Sequence, residues 1–239
     1  MLGRLSLNVC AFIVLTFAAL AQAAQPWTFN NNTRYLAMGD SLTAGQGAIP
    51  VTQGYAYLLY EQGFYDSMPN TTFANVAIPG ATSQQVLNFQ VLSATQSGFS
   101  PHVITTTVGG NDLLTILSGA DPAVVLPAFG GNLSAILVQL CTQLPATTRV
   151  YVGNLYVIQN FPVPTDQIVI GFNQVVAGVV GSVNASVCAG RVKVADIHAQ
   201  FAGRQGGLLL INRNSAGQFE VHPSNAGHRA IAQAFIAAR

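Results

Sequence analysis

Charge is what this sequence has least of. Lys, Arg, Asp and Glu make up 7% of 239 residues, nine basic against eight acidic, for a formal net charge of +1. So few Lys and Arg leave no electrostatic footprint for a phosphate backbone, which excludes nucleic acid as a partner. Half the residues are hydrophobic, so there is ample apolar surface to bury and disorder is excluded. Metal-ligand spacing is missing as well. There is no H-E-x-x-H and no paired Cys/His pattern, so no metal and no cofactor are expected. The G-x-S-x-G nucleophile signature is absent, because Gly39-Asp40-Ser41-Leu42-Thr43 fails at its last position. Gly45-Gln46-Gly47 lacks the third glycine of a dinucleotide fingerprint, since Pro50 stands there. No repeat, low-complexity tract or linker divides the chain, so one domain is expected.

Cysteine is nearly absent too: Cys10, Cys141 and Cys188. Cys10 falls in the N-terminal segment, where Arg4 precedes an apolar run from Val9 to Leu20 and an A-x-A site at Ala21-Gln22-Ala23. That is the pattern of a secretory signal peptide over residues 1–23. The run falls short of the roughly 20 residues of a membrane span. No later stretch reads as long and apolar enough to span a membrane, so the domain should run from Ala24 to Arg239 and be extracellular. Cys141 and Cys188 then remain as an even pair in an oxidising compartment, and a disulfide is expected. Both close helices that precede consecutive strands, and right-handed crossovers would put those helices on one sheet face. Four N-x-S/T sequons, at Asn31, Asn70, Asn132 and Asn184, are glycosylation candidates.

Five β-rich runs alternate with helical stretches: residues 34–38, 72–77, 103–108, 150–153 and 192–197. They are rich in Val, Ile, Thr and aromatics, as buried strands are. Asp121-Pro122 reads as an N-cap and first helical position, with a helix running to about Leu144. Thr165 or Asp166 can cap a second helix to about Val187, and Ser224 a third over residues 225–238. Residues 83–92 form a shorter candidate. The alternation predicts an α/β fold, a flavodoxin-like three-layer α/β/α sandwich on a five-stranded parallel sheet. Ligands bind beyond the carboxyl ends of such strands.

The residues after the strands carry the chemistry. Gly39-Asp40-Ser41-Leu42 follows the first, Pro79-Gly80 the second and Gly109-Gly110-Asn111-Asp112 the third, and Glu220-Val221-His222-Pro223 lies near the C-terminus. A Ser hydroxyl becomes a useful nucleophile when a neutral His takes its proton. The tetrahedral intermediate needs donors for its oxyanion, which the N–H groups of Ser41 and Gly80 and the Asn111 amide could supply. Each residue alone has a bland explanation as turn, cap or surface residue; their order after successive strands favours catalysis. Leu42, Ile49, Leu113 and Leu114 are apolar residues expected near the site, and core packing would explain them equally well.

These four blocks resemble the SGNH/GDSL hydrolase family, over residues 34 to 235. Gly39-Asp40-Ser41-Leu42 is similar to its first block, the NVAIPGATS segment around Gly80 to its second, Gly109 to Asp112 to its G-x-N-D, and HPSNAGHRAIA, from His222, to its last. The resemblance implies a serine esterase or lipase with Ser41 as nucleophile, His222 as base, and Ser41, Gly80 and Asn111 as oxyanion hole. One position departs. Phe219 stands where the family usually has the triad Asp, and either Glu220, the tentative acid, or a backbone carbonyl takes its place. Asp196, at a strand end, ranks lower. The expected partner is a small-molecule or polymer-borne ester substrate, met by a monomer. A binding protein that kept the fold and lost catalysis stays open as the alternative.

Overall fold

The computed structural model describes residues 33–61, 71–158, 165–211 and 219–239, with backbone alone at 211, 219 and 220. The signal peptide, Ala24, Asn31 and Asn70 lie outside the described residues.

Five parallel strands form the central sheet: β1 (Arg34–Gly39), β2 (Thr72–Asn75), β3 (Val103–Thr107), β4 (Arg149–Gly153) and β5 (Val192–Ala195). Their order is β2-β1-β3-β4-β5, the flavodoxin-like arrangement expected from the sequence. β3 is buried along its whole length, which is why it reads as a continuous β-branched run and not as an alternation. β2 ends at Asn75, although the N–H groups of Val76 and Ile78 still donate to the carbonyls of Ala37 and Gly39, and β5 ends before its sequence run because Asp196 starts a helix.

Helices flank both faces. They are α1 (Ser41–Ala44), α2 (Tyr55–Glu61), α3 (residues 83–95, with a π turn at Val86–Gln90), α4 (Gly110–Leu117), α5 (Pro122–Gln143), α6 (Asp166–Val183, closed by a π turn at Asn184–Cys188), α7 (Ile197–Phe201), α8 (Gln205–Leu208) and α9 (Asn225–Ala237). Strand alternation sorts the core into two halves. Leu36, Met38, Ile104 and Val152 pack with Val86 of α3, Leu133 and Leu137 of α5 and Phe172 of α6. Tyr35 and Ala37 face the other way, onto Tyr55 of α2, Phe201 of α7 and Phe235 of α9. A two-stranded antiparallel hairpin, β6 (Leu209–Ile211) with β7 (Phe219–Pro223), stands apart from the main sheet.

The caps read from sequence are present at two helices. The Asp121 side chain accepts from the Ala123 N–H at the start of α5, and Ser224 accepts from the Gly227 N–H at the start of α9. Before α6, Thr165 holds the cap position without a capping bond, its hydroxyl donating instead to the Ile158 carbonyl.

One expectation needs correcting. α5 and the helix from Asp166 to Cys188 are long and apolar enough to cross a membrane by length and composition. Each, however, connects neighbouring parallel strands of the sheet and lays a stripe of fully buried side chains on it. One face of each is a core layer, while Val124, Ile170 and Val187 stay exposed.

Cys141, in the last turn of α5, is bonded to Cys188, which closes the π turn after α6. Both helices sit on one face, as the right-handed crossovers require. Arg191 completes this corner: its buried guanidinium donates to the carbonyls of Cys141, Pro145 and Cys188, so one cation caps both helix ends. A bridge over a separation of 47 residues stabilises by roughly 4 kcal/mol in the chain-entropy model.

Candidate active site

The site begins where β1 runs out. Gly39 has φ 135°, and a Cβ there would lie 2.1 Å from the Thr107 carbonyl oxygen. Only glycine lets β1 pass β3 that closely while turning. Gln90, aimed by the π turn of α3, clamps this point: its Oε1 accepts from the Gly39 N–H at 2.6 Å and its Nε2 donates to the Gly39 carbonyl at 2.8 Å. Asp40 follows as the N-cap of α1, accepting from the Leu42 N–H at 3.0 Å. A buried hydroxyl chain ends on the same carboxylate. Tyr55 bonds Thr43 at 2.6 Å, Thr43 bonds Thr107 at 2.8 Å, and Thr107 donates to Asp40 at 2.8 Å. Ser41 is thus the first residue of a short helix fixed from below, with its own hydroxyl left out of the scaffolding.

His222 arrives on β7. Leu209 pairs with Pro223 and Ile211 with Phe219. Three residues of β7, Glu220 to His222, therefore oppose Leu210 alone, and the strand is irregular where His222 sits. Such bulges re-aim side chains next to active sites. His222 Nε2 lies 3.0 Å from Ser41 Oγ, within reach of a base for its nucleophile. The Tyr156 hydroxyl donates to the carbonyl of Val221, and its ring stacks on Phe201 at 4.3 Å. The residue before His222 is thereby pinned from the loop after β4. His228 is structural. It is fully buried, with Nδ1 3.3 Å from the Tyr55 N–H and Nε2 3.0 Å from the Gln46 carbonyl. Those partners assign an Nε2-protonated neutral ring.

Gly80 and Asn111 complete the constellation. Gly80 has φ 82°, which L side chains rarely adopt, and no atom stands where its Cβ would be. Asn111, in the first turn of α4, donates from Nδ2 to the Ala81 carbonyl at 2.9 Å. Asp112 makes this junction rigid. Its Oδ2 accepts from the Ser83 N–H at 2.9 Å and its Oδ1 from the Ser83 hydroxyl at 2.6 Å, while Asn132 donates to Ser83 Oγ at 3.0 Å. The Asp of G-x-N-D thus ties the Gly80 loop to the helix that carries Asn111.

Ser41, Gly80, Asn111 and His222 all line one cavity of about 400 Å³ at the carboxyl ends of the strands, where the fold rule places ligands. Leu42, Leu113 and Leu114 line it as expected. Ile49 does not: it is 80% exposed, with its backbone held by Asn225. The wall formed by Leu155, Tyr156 and Ile158 carries no mark in the sequence, because LYVI is merely apolar until the topology says what it faces. Asp196 caps α7 and accepts from Asn154, so it has a structural post. The Glu220 side chain lies outside what the structure describes. Of the sequon residues, Asn132 donates to Ser83, and the Asn184 amide bonds both backbone groups of Val192. Among the described residues no cluster of three or more His, Cys, Asp or Glu could hold a metal ion.

Two buried groups near the site make opposed demands on pH. Burial pushes the Asp40 carboxyl up from 3.8 to about 6, against hydrogen bonds from Thr107 and Leu42 that lower it. Burial pushes His228 down from 6.5 to about 4. Between pH 4 and 6 native Asp40 keeps a proton that the unfolded chain has released, so this group makes stability fall as pH rises. Native His228 lacks a proton that the unfolded chain holds, so it makes stability rise with pH over the same window. The two slopes offset each other. Asp40→Asn removes one of them. Its stability relative to the native chain should climb by roughly 1.4 kcal/mol per pH unit from pH 4 to 6 in denaturant titrations. Parallel curves for the two proteins would show that Asp40 does not titrate there.

Comparison with known proteins places this geometry. The model of the GDSL-like lipase/acylhydrolase family matches residues 37–230. A lipase structure from a goat rumen metagenome is 26% identical, covering 86% of this chain and 97% of that one, with a TM-score of 0.60. An acetylxylan esterase from Geobacillus stearothermophilus is 20% identical over 88% and 96% of the two chains, with a TM-score of 0.61. An alpha/beta hydrolase enzyme from the metagenome of Lake Arreo, Spain, is 18% identical over 86% and 94%, with a TM-score of 0.63. The last two speak to the fold alone. No curated protein sequence matches. With its family blocks gathered around one cavity, the chain belongs to the GDSL-like lipase/acylhydrolase family and is a serine ester hydrolase.

Proposed function

We propose that this chain is an exported hydrolase of carboxylic esters that works through an acyl-enzyme intermediate. The observation that carries the proposal is the 3.0 Å contact between Ser41 Oγ and His222 Nε2 in the wall of a cavity that also holds Gly80 and Asn111. Ser41 Oγ attacks the ester carbonyl carbon as His222 takes its proton. The oxyanion is held by the N–H groups of Ser41 and Gly80 and the Asn111 amide. Collapse of the intermediate breaks the bond to the alcohol oxygen, which leaves with the proton from His222. A water, deprotonated by His222, then attacks the acyl carbon and returns Ser41 to its hydroxyl form.

Glu220 is our choice for the group that orients the His222 ring, in place of the family's acid. Export rests on the pattern in residues 1–23 and is checked by sequencing the mature N-terminus, expected within a few residues of Ala24. A fluorophosphonate probe tests the mechanism. It should label Ser41 and no other residue, and Glu220→Gln should slow that labelling at least roughly tenfold. An unreactive Ser41 in folded protein would favour a binding role. Unchanged labelling of Glu220→Gln would remove Glu220 from the site.

A further inference from the structure

We infer that the natural substrate carries a medium-length unbranched aliphatic acyl chain, seated between α4 and the loop that follows β4. This deepens the acyl-enzyme proposal and rests on it.

Away from the catalytic groups the cavity is lined by Leu42, Val108, Leu113, Leu114, Leu155 and Ile158, with Tyr156 among them. Apart from the exposed Gln46, the polar side chains in that lining are already committed within the protein. The Thr107 hydroxyl donates to Asp40. The Asn154 amide donates to Asp196, and its oxygen accepts from the His198 N–H. The Tyr156 hydroxyl donates to Val221. Asp40 is the one charged side chain among the described lining residues, and it is 3% exposed. An acetylated sugar entering here would give up hydrogen bonds to water and find few in return, whereas an alkyl chain displaces water from an apolar wall.

Size points the same way. An acetyl group has roughly the bulk of two waters, at about 30 Å³ each. It would leave most of a cavity of about 400 Å³ unfilled. Six to ten carbons, at about the same bulk per carbon, would occupy roughly half to three-quarters of it. The wall is preformed as well. Asn173 of α6 clamps Leu155 from both sides, accepting from its N–H at 2.8 Å and donating to its carbonyl at 2.9 Å. A fixed apolar slot binds a flexible chain at lower entropic cost than one that must first be ordered. The acyl side is also defined by the chemistry. The alcohol must leave beside His222, which protonates it, while the acyl carbon lies between Ser41 and Asn111. Asn111 heads α4, and α4 carries Leu113 and Leu114 into the lining.

The test is a series of p-nitrophenyl esters from acetate to dodecanoate, assayed below their micellar concentrations on the secreted protein. kcat/KM should rise about fourfold per methylene from acetate to the hexanoate–decanoate range, then fall once the chain outgrows the slot. Leu114→Trp should lower the octanoate-to-acetate ratio at least tenfold. Acetate as the best substrate would overturn the inference, as would an unchanged ratio in folded Leu114→Trp. An equal gain from lengthening the alcohol of alkyl acetates would overturn the acyl assignment. Labelling of Ser41 by fluorophosphonate separates the two levels. A labelled enzyme with a flat or falling profile sinks this inference alone, whereas an unlabelled chain that cleaves no ester takes the proposed mechanism with it.

Discussion

Ser41→Ala should lower kcat for ester hydrolysis by on the order of 10⁶-fold, His222→Ala should do nearly the same, and the double variant should lose little more. In the proposed mechanism the two side chains perform one act, the transfer of a proton as the Oγ–carbon bond forms, so removing either would abolish it. The fold should survive the first change. The cap of α1 is the Asp40 carboxylate, and the buried hydroxyl chain runs through Thr43, Thr107 and Tyr55. The Ser41 hydroxyl supports neither. Thermal melts should therefore coincide within about 0.5 kcal/mol, as for a substitution away from packing features. Independent, additive losses in the double variant would mean that Ser41 and His222 do not act together. Wild-type turnover from folded Ser41→Ala would move the search to another nucleophile.

Asn111→Ala is the second large effect, with kcat reduced by about 10²–10³-fold and KM little changed. The Asn111 Nδ2 has two hydrogens. One is directed at the Ala81 carbonyl, which fixes the nitrogen, and the other is available to an oxyanion in the same cavity. A donor held this way is fully used only when charge has developed on the carbonyl oxygen, so its loss falls on kcat. If KM rose while kcat stayed level, Asn111 would merely hold the ground state.

Much of this site could be read from the chain because parallel sheets impose order. Once residues 34–38, 72–77 and 103–108 are strands, the residues following each must share one edge. Ser41, Gly80 and Asn111 are then neighbours without any contact being known. The helix starts at Pro122 and Asn225 announced themselves through Asp121 and Ser224, whose side chains have little other reason to precede an apolar run. What escaped notice has physical reasons too. α4 begins Gly-Asn-Asp, which is turn chemistry by propensity and becomes helical because Asp112 is anchored on Ser83. α2 is YAYLLYE, as aromatic as a strand, and folds as a helix against α9. The β-rich run extends to Ile197, although Asp196 stops the strand by capping α7. The π turns at Val86–Gln90 and Asn184–Cys188 have no compositional mark, since an extra residue per turn is set by what the helix must reach. Ile49 is close to the site in sequence but outside the cavity in the fold, and the length and apolarity of α5 and of α6 with its closing π turn suit a membrane span as well as a core layer, which composition alone does not separate.

The parallel sheet also gives the molecule two unlike poles. Ser41, Gly80, Asn111 and His222 gather where the strands finish. The Cys141–Cys188 bridge and Arg191 sit where β4 and β5 begin, in the last turns of the helices leading into them. A handle grafted at the bridged pole would anchor the enzyme to a resin or an electrode with its mouth turned to the bulk solution. Chemistry used to fasten it there would work a whole strand length from the ester being cut.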